Sequence, residues 1–274
     1  MKRSPRILVV GTASIDVLHL PSGIVHTIGG AGMYTALAAA RAGANVTLCA
    51  PRPQPVPQAF AAADARLRWI GPHCAAADMP RLAIAHHGNG KATLLDAAWG
   101  AEAVLSIEHL PDDLQSYDAV HVAALSSAQR MLEFVHACRE RGARFLAAGT
   151  YFRLVQLAPD VVRDIIAACD AFFMNDNEAR GLFGSVDAAQ AEPGRILFVT
   201  CGADGARILT SDDIGAVPAP HADELDPTGA GDTFCGTTLT ALMRGDAMRD
   251  AASAGCIAAS HMIEAAGPAR LLTE

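Results

Sequence analysis

Apolar residues arrive along this chain in short runs, each closed by glycine or small polar residues and several followed by a stretch with helical spacing. Arg6 to Val10 reads as a buried first strand, ended by a turn at Gly11-Thr12-Ala13-Ser14. Residues 17–28 alternate weakly around Pro21-Ser22-Gly23 and predict a small β-hairpin. The stretch Gly29-Gly30-Ala31-Gly32-Met33-Tyr34-Thr35 opens a helix that runs to about Arg41, and Asn45 to Ala50 is a second strand. Four prolines within residues 51–57 make an extended loop, since proline cannot donate to a helix or a ladder. Leu82 to Ala85 and Ala92 to Leu95 predict a second hairpin with Asn89-Gly90 near its tip. His86-His87 reads as loop surface there.

From residue 118 the pattern becomes strand, helix, strand, helix: Ala119 to Ala123, a helix to about Arg141, Arg144 to Ala148, a helix near 160–168, Ala171 to Met174, and a helix near 176–183. Arg195 to Thr200, a glycine turn and Arg207 to Thr210 follow, and the last helices cover about 230–244 and 247–265. Such alternation predicts an α/β fold with a mostly parallel sheet, helices on both faces, and ligands beyond the carboxyl ends of the strands. With 274 residues, 51% of them hydrophobic and few aromatic, the chain suits one domain of tightly packed helices on a sheet.

A net charge of −8 leaves no basic stripe for nucleic acid. The apolar run at Ile7 to Val10 is too short for a signal segment or a membrane span. Seven cysteines stand singly without a C-x-x-C pair, which predicts reduced, buried thiols and a cytoplasmic protein.

Candidate chemistry centres on Asp226-Pro227-Thr228-Gly229-Ala230-Gly231-Asp232-Thr233-Phe234. Gly229 and Gly231 permit a tight turn, and the helix beyond leaves its first amides without internal partners. Those donors and the helix dipole make a seat for an anion such as phosphate. A carboxylate at such a mouth either caps the helix or handles a proton, and Asp232 is read as a general base. Lys91 lies in a GNGKAT stretch that fails the phosphate-loop pattern, with Ala85 in the first glycine's place and Ala92 after the lysine. Neither lysine of the chain lies in a protein-kinase context, and the motif has Phe234 where a dinucleotide fingerprint wants its third glycine.

The nine-residue stretch resembles the second signature of the ribokinase-like (PfkB) carbohydrate kinases, Asp-x-Thr-Gly-Ala-Gly-Asp, and Gly29-Gly30-Ala31-Gly32 is similar to their first. The resemblance implies a three-layer α/β/α domain over 1–274, with a small β-lid built from about 17–28 and 81–96. It implies an ATP-dependent kinase acting on a hydroxyl of a sugar or related polyol, with Asp232 as base and the amides from Gly229 to Asp232, through Ala230 and Gly231, as anion hole. On the acceptor side it implies Asp16, Gly29, Gly30 and Tyr34. Asp16, between Ile15 and Val17, would otherwise read as the solvent face of a strand. On the nucleotide side it implies Thr200, Gly202, Gly205, Thr228 and Ser253.

Asn175-Asp176-Asn177-Glu178 matches the family's Asn-x-x-Glu element, and Glu178 with Asn175 is expected to serve Mg²⁺ through water, although the spacing equally describes a helix-capping box. Asp226 corresponds to a carboxylate that some members use near a monovalent cation such as K⁺, or it pins the turn. Pairing into a homodimer through the lid follows from the same resemblance. Tyr34 stands where many members have Asn, and residues 51–57 lack the family's Gly-x-Asp-x-x-Gly element. Those two departures leave open a nucleoside acceptor, with Tyr34 stacking on a base. A ligand-sensing homologue without turnover is the other alternative.

Overall fold

The computed structural model describes residues 3–88 and 91–273; the Asn89-Gly90 pair expected at a hairpin tip lies outside those residues. In chain order β1 (Arg6–Val10) is followed by β2 (Ser14–Leu20), β3 (Gly23–Gly29), α1 (Ala31–Arg41) and β4 (Asn45–Cys49). Short elements come next, β5 (Arg52–Pro53), α2 (Ala61–Asp64), β6 (Arg68–Ile70) and β7 (His73–Cys74), before β8 (Arg81–Gly88) and β9 (Lys91–Ala98). The second half runs β10 (Ala119–Val122), α3 (Ala128–Glu140), β11 (Leu146–Gly149), α4 (Phe152–Leu157), α5 (Pro159–Ala168), β12 (Ala171–Asn175) and α6 (Asp176–Phe183). It closes with β13 (Ile196–Thr200), β14 (Ala206–Leu209), β15 (Ile214–Val217), α7 (Ala230–Met243), α8 (Met248–Met262) and α9 (Ala269–Leu272).

Among the described residues nine strands form one sheet in the order β15-β14-β13-β12-β11-β10-β1-β4-β6. Pairing is parallel from β6 across to β13 and antiparallel at β13–β14 and β14–β15. The link from β13 to β14 is too short for a crossover, so the chain must fold straight back. Both faces of β1 are covered, which is why its sequence is a continuous apolar run. Ile7 and Val9 join the core with Leu37 of α1 and Phe234 of α7, while Leu8 and Val10 join the opposite core with Phe134 of α3 and Ile165 of α5. The layers are therefore helix, sheet, helix, as expected.

A separate four-stranded sheet, β3-β2-β8-β9, forms the lid, with β2 and β8 parallel at its centre. Its strands begin earlier than the expected 17–28 hairpin, because Ser14 already pairs with Gly29. The solvent-face reading of Asp16 is corrected here. Ser14, Asp16, Leu18 and Leu20 form the buried side of β2, and Asp16 is 1% exposed. The expected extended stretch at 51–57 is present, with Arg52 and Pro53 paired to β7. Several short elements escaped the hydrophobic pattern, α2, β6, β7, α4, β15 and α9, none longer than six residues. Among the described residues no helix is long and apolar enough to cross a membrane.

Candidate active site

Two cavities lie beyond the carboxyl ends of the parallel strands, where open α/β sheets bind ligands. The first, about 230 Å³, has Thr12 after β1, Tyr151 after β11, Asp16 and Leu82 of the lid, Trp99, Tyr34, Thr228 and Gly229 in its wall. The second, about 180 Å³, is lined by Thr150, Asn175, Glu178, Thr200, His121, Gly231 and Cys235 among others. Asp232 and Ala124 line both. The carboxylate thus stands at the partition between them.

The turn that places it is built by glycine. Gly229 takes the left-handed conformation at φ 78°, and a side chain there would run into the ring of Tyr34. The Ala230 N–H donates to Pro227 O at 3.1 Å and the Thr233 N–H to Gly229 O at 2.8 Å. Ala230 is therefore removed from the expected anion hole, because its amide closes the turn. The amides of Gly231 and Asp232 have no backbone acceptor among the described residues and remain available at the positive end of α7. A side chain on Gly231 would meet nothing within 4 Å, so that space stays free for a ligand. Asp232 is half-buried, and its carboxylate has no hydrogen-bond or ion-pair partner among the described residues. Burial pushes its pKa up to about 7, since a charged carboxylate is disfavoured away from water.

Around the first cavity, Asp16 Oδ1, Ser14 Oγ and Tyr34 Oη are all buried without a well-formed hydrogen bond, although the Ser14 side chain and the Leu82 backbone lie close enough to the Asp16 carboxylate to favour its charged form. Unmet buried polar atoms are rare, and three around one cavity make it a candidate ligand site. Burial raises Asp16 to about 6. Gly30 lines the cavity, while Gly29 makes room behind it, because a side chain there would collide with the Asp16 carboxylate. Tyr34 is 1% exposed with its ring against Gly229, so the face expected to stack on a base is spent inside the protein. Trp99 and Tyr151, with ring centroids 6.5 Å apart and tilted by 43°, supply aromatic wall instead.

On the other side, Asn175 and Glu178 form the capping box of α6. Asn175 Oδ1 accepts from Glu178 N–H at 2.9 Å, and Glu178 Oε2 accepts from Asn175 N–H at 2.8 Å. Glu178 Oε1 also accepts from Asn175 Nδ2 at 2.8 Å. Burial lifts Glu178 to about 8. Among the described residues no three acidic, histidine or cysteine side chains converge on a metal position. Asn175 and Glu178 both line the second cavity, and these are the residues that could meet, through water, a divalent cation carried by phosphates there.

Asp226 is bonded within the turn, the reading given beside a cation role. It is fully buried, Oδ1 accepts from Thr228 N–H at 2.9 Å, Oδ2 accepts from Gly267 N–H at 2.6 Å, and neither cavity reaches it. It pins the turn. Thr228 faces the first cavity, not the nucleotide side expected for it. Thr200 lines the second cavity, whereas Gly202 and Gly205 shape the adjoining β13–β14 turn and Ser253 sits on α8, outside both cavity walls.

His86 is corrected as well. It is buried, with Nε2 2.8 Å from Thr228 Oγ1 and 3.2 Å from Asp226 Oδ1, whereas His87 is exposed. Sequence reasoning also passed over His121, buried between Cys235 and Phe173, with burial pushing its pKa down to about 3. A histidine inside the apolar strand Ala119-Val120-His121-Val122 was the available signal.

Comparison with known proteins agrees with the fold. The model of the pfkB family carbohydrate kinases matches residues 5–274. The cytidine kinase of Thermococcus kodakarensis is 23% identical over 270 residues, covering 94% of this chain and 96% of that protein. A Rhizobium etli structure described as a probable sugar kinase superposes with a TM-score of 0.82 at 20% identity, covering 98% of this chain and 95% of that one. The adenosine kinase of Sinorhizobium meliloti gives 0.80 at 17%, covering 97% and 96%.

Proposed function

Because this chain belongs to the pfkB family of carbohydrate kinases, we propose that it transfers the γ-phosphoryl group of ATP to a hydroxyl of a sugar or nucleoside, with Asp232 as general base. The observation that carries this reading is Asp232, an unpartnered carboxylate shared by two cavities beside two free amides. An acceptor in the first cavity would give Asp16, Ser14 and Tyr34 the hydrogen bonds they lack and present one hydroxyl to Asp232. A triphosphate in the second would occupy the space above Gly231, where the amides of Gly231 and Asp232 stabilise charge on the group in flight. Asp232 takes the hydroxyl proton as oxygen attacks phosphorus, and little other covalent help is needed. Mg²⁺ on the phosphates would supply charge neutralisation, with Glu178 and Asn175 the residues placed to meet it through water.

A nucleoside acceptor is favoured over a free sugar by one feature, the wall of Pro80, Leu82, Trp99 and Tyr151. Such a surface suits a flat, partly apolar group better than a polyol. Full-length similarity to a cytidine kinase supports the same choice. Exposed Ile24 and Leu95 on the lid fit pairing of two copies there, and seven free thiols fit a reducing, cytoplasmic setting. The test is ADP release with ATP and a panel of pentoses, hexoses, cyclitols and nucleosides. Stoichiometric ADP with a nucleoside supports both readings, a response to sugars alone overturns the nucleoside choice, and no acceptor-dependent ADP overturns the kinase.

A further inference from the structure

Leu82 of β8 lines the first cavity and most side chains of this strand are half-exposed, but His86 is buried. The register of β8 against β9 shifts between His86 and Gly88, an irregularity of the kind that re-aims a side chain. Its Nε2 lies within hydrogen-bond reach of two groups at the start of the anion-binding turn, Thr228 Oγ1 at 2.8 Å and Asp226 Oδ1 at 3.2 Å. The other ring nitrogen, Nδ1, is buried without a partner. A hydrogen on Nδ1 would be an unmet donor, and a lone pair on Nε2 would then face a carboxylate. The tautomer with hydrogen on Nε2 avoids both penalties and lets one N–H serve Asp226 and Thr228 together. Asp226 in turn holds the N–H groups of Thr228 and Gly267, so this buried carboxylate joins the lid, the turn before α7 and the C-terminal stretch. Gly229, the residue after Thr228, sets the direction of the free amides.

We propose that His86 is a positioning residue for phosphoryl transfer, tying the lid strand β8 through Thr228 and Asp226 to the turn that holds the migrating group. The inference rests on the kinase reading of that turn. His86 touches no reacting atom. Without it the Thr228 hydroxyl loses a partner and the Asp226 carboxylate one donor, so the turn loosens. Acceptor binding by Asp16 on β2 is affected less.

The test compares the full-length chain with His86→Leu, His86→Gln, Thr228→Val and Asp232→Asn, using acceptor kinetics and amide hydrogen exchange. His86→Leu is expected to lower kcat about 10- to 100-fold, the effect of one lost hydrogen bond to a charged group, with acceptor KM changed less than about threefold. His86→Gln, whose amide N–H can reach the same partners, is expected to recover much of that loss. Amides of β8 and of residues 226–230 are expected to exchange faster in His86→Leu and Thr228→Val, but not in Asp232→Asn. Wild-type kcat with unchanged exchange overturns the proposal. So does equal impairment by Gln and Leu, which would mean that only volume matters. If the Leu variant fails to fold, Thr228→Val decides by the same exchange readout. Wild-type transfer by Asp232→Asn would overturn the base assignment, while the exchange comparison, which needs no turnover, still decides the role of His86.

Discussion

Asp232 can accept a proton only when ionised, and burial sets that threshold at about 7. The acid limb of kcat/KM should therefore fall about tenfold per pH unit below about 7. A profile flat from about pH 5.5 to 8 would contradict the assignment. The same burial works against stability. Because the folded pKa lies above the unfolded one, this residue favours the folded state at low pH, and that contribution is lost as pH rises from about 4 through 7. Asp232→Asn is expected to raise Tm at pH 8 by about 2–4 °C, read by calorimetry, while losing turnover. Gly231→Ala separates fold from function in another way. With open space above the backbone, its Tm should stay within about 1 °C of wild type. Phosphoryl transfer should fall at least about tenfold, because the added methyl enters the space assigned to the anion. Unchanged kinetics in that variant would argue that the anion sits elsewhere.

At the scale of elements, α7 carries the site and α1 holds it in place. Residues Thr233–Ala241 of α7 are buried, and at Gly236 a side chain would run into the Thr35 carbonyl of α1. Gly236→Ala is expected to push the two helices apart, costing about 1–3 kcal/mol and lowering Tm by several degrees in a thermal melt. The start of α7 was legible in sequence because its turn residues are dictated by backbone geometry, which is local. The lid was legible as two hairpins but not in its orientation. Asp16 within Ile15-Asp16-Val17 looks outward by alternation, and only the position of β2 over the first cavity makes that side the buried one. His86 was obscured by the same cause: paired with His87 beside a glycine turn it resembles surface, until a bulge and the underlying Thr228 turn it inward. Ala230 shows the opposite error. Sequence suggests that every amide of a helix start is free, yet the turn consumes this one.

For the whole molecule, alternating strands and helices were enough to expect a parallel sheet, since continuous apolar strands require cover on both faces. The aromatic wall of the first cavity was not accessible that way. Trp99 and Tyr151 are separated in sequence by two strands of the central sheet, β10 and β11, and meet because Trp99 follows β9 of the lid while Tyr151 follows the end of β11. The position of Asp232 between two cavities is likewise a property of the assembled layers. The proposed role of this carboxylate is to link an acceptor pocket to a phosphate pocket as a base. Single-turnover phosphoryl transfer by Asp232→Asn, on whichever acceptor the panel identifies, tests this most directly. A loss of at least about 100-fold in the transfer rate is expected, with little change in acceptor affinity. A variant that transfers phosphate at near the wild-type rate would contradict it.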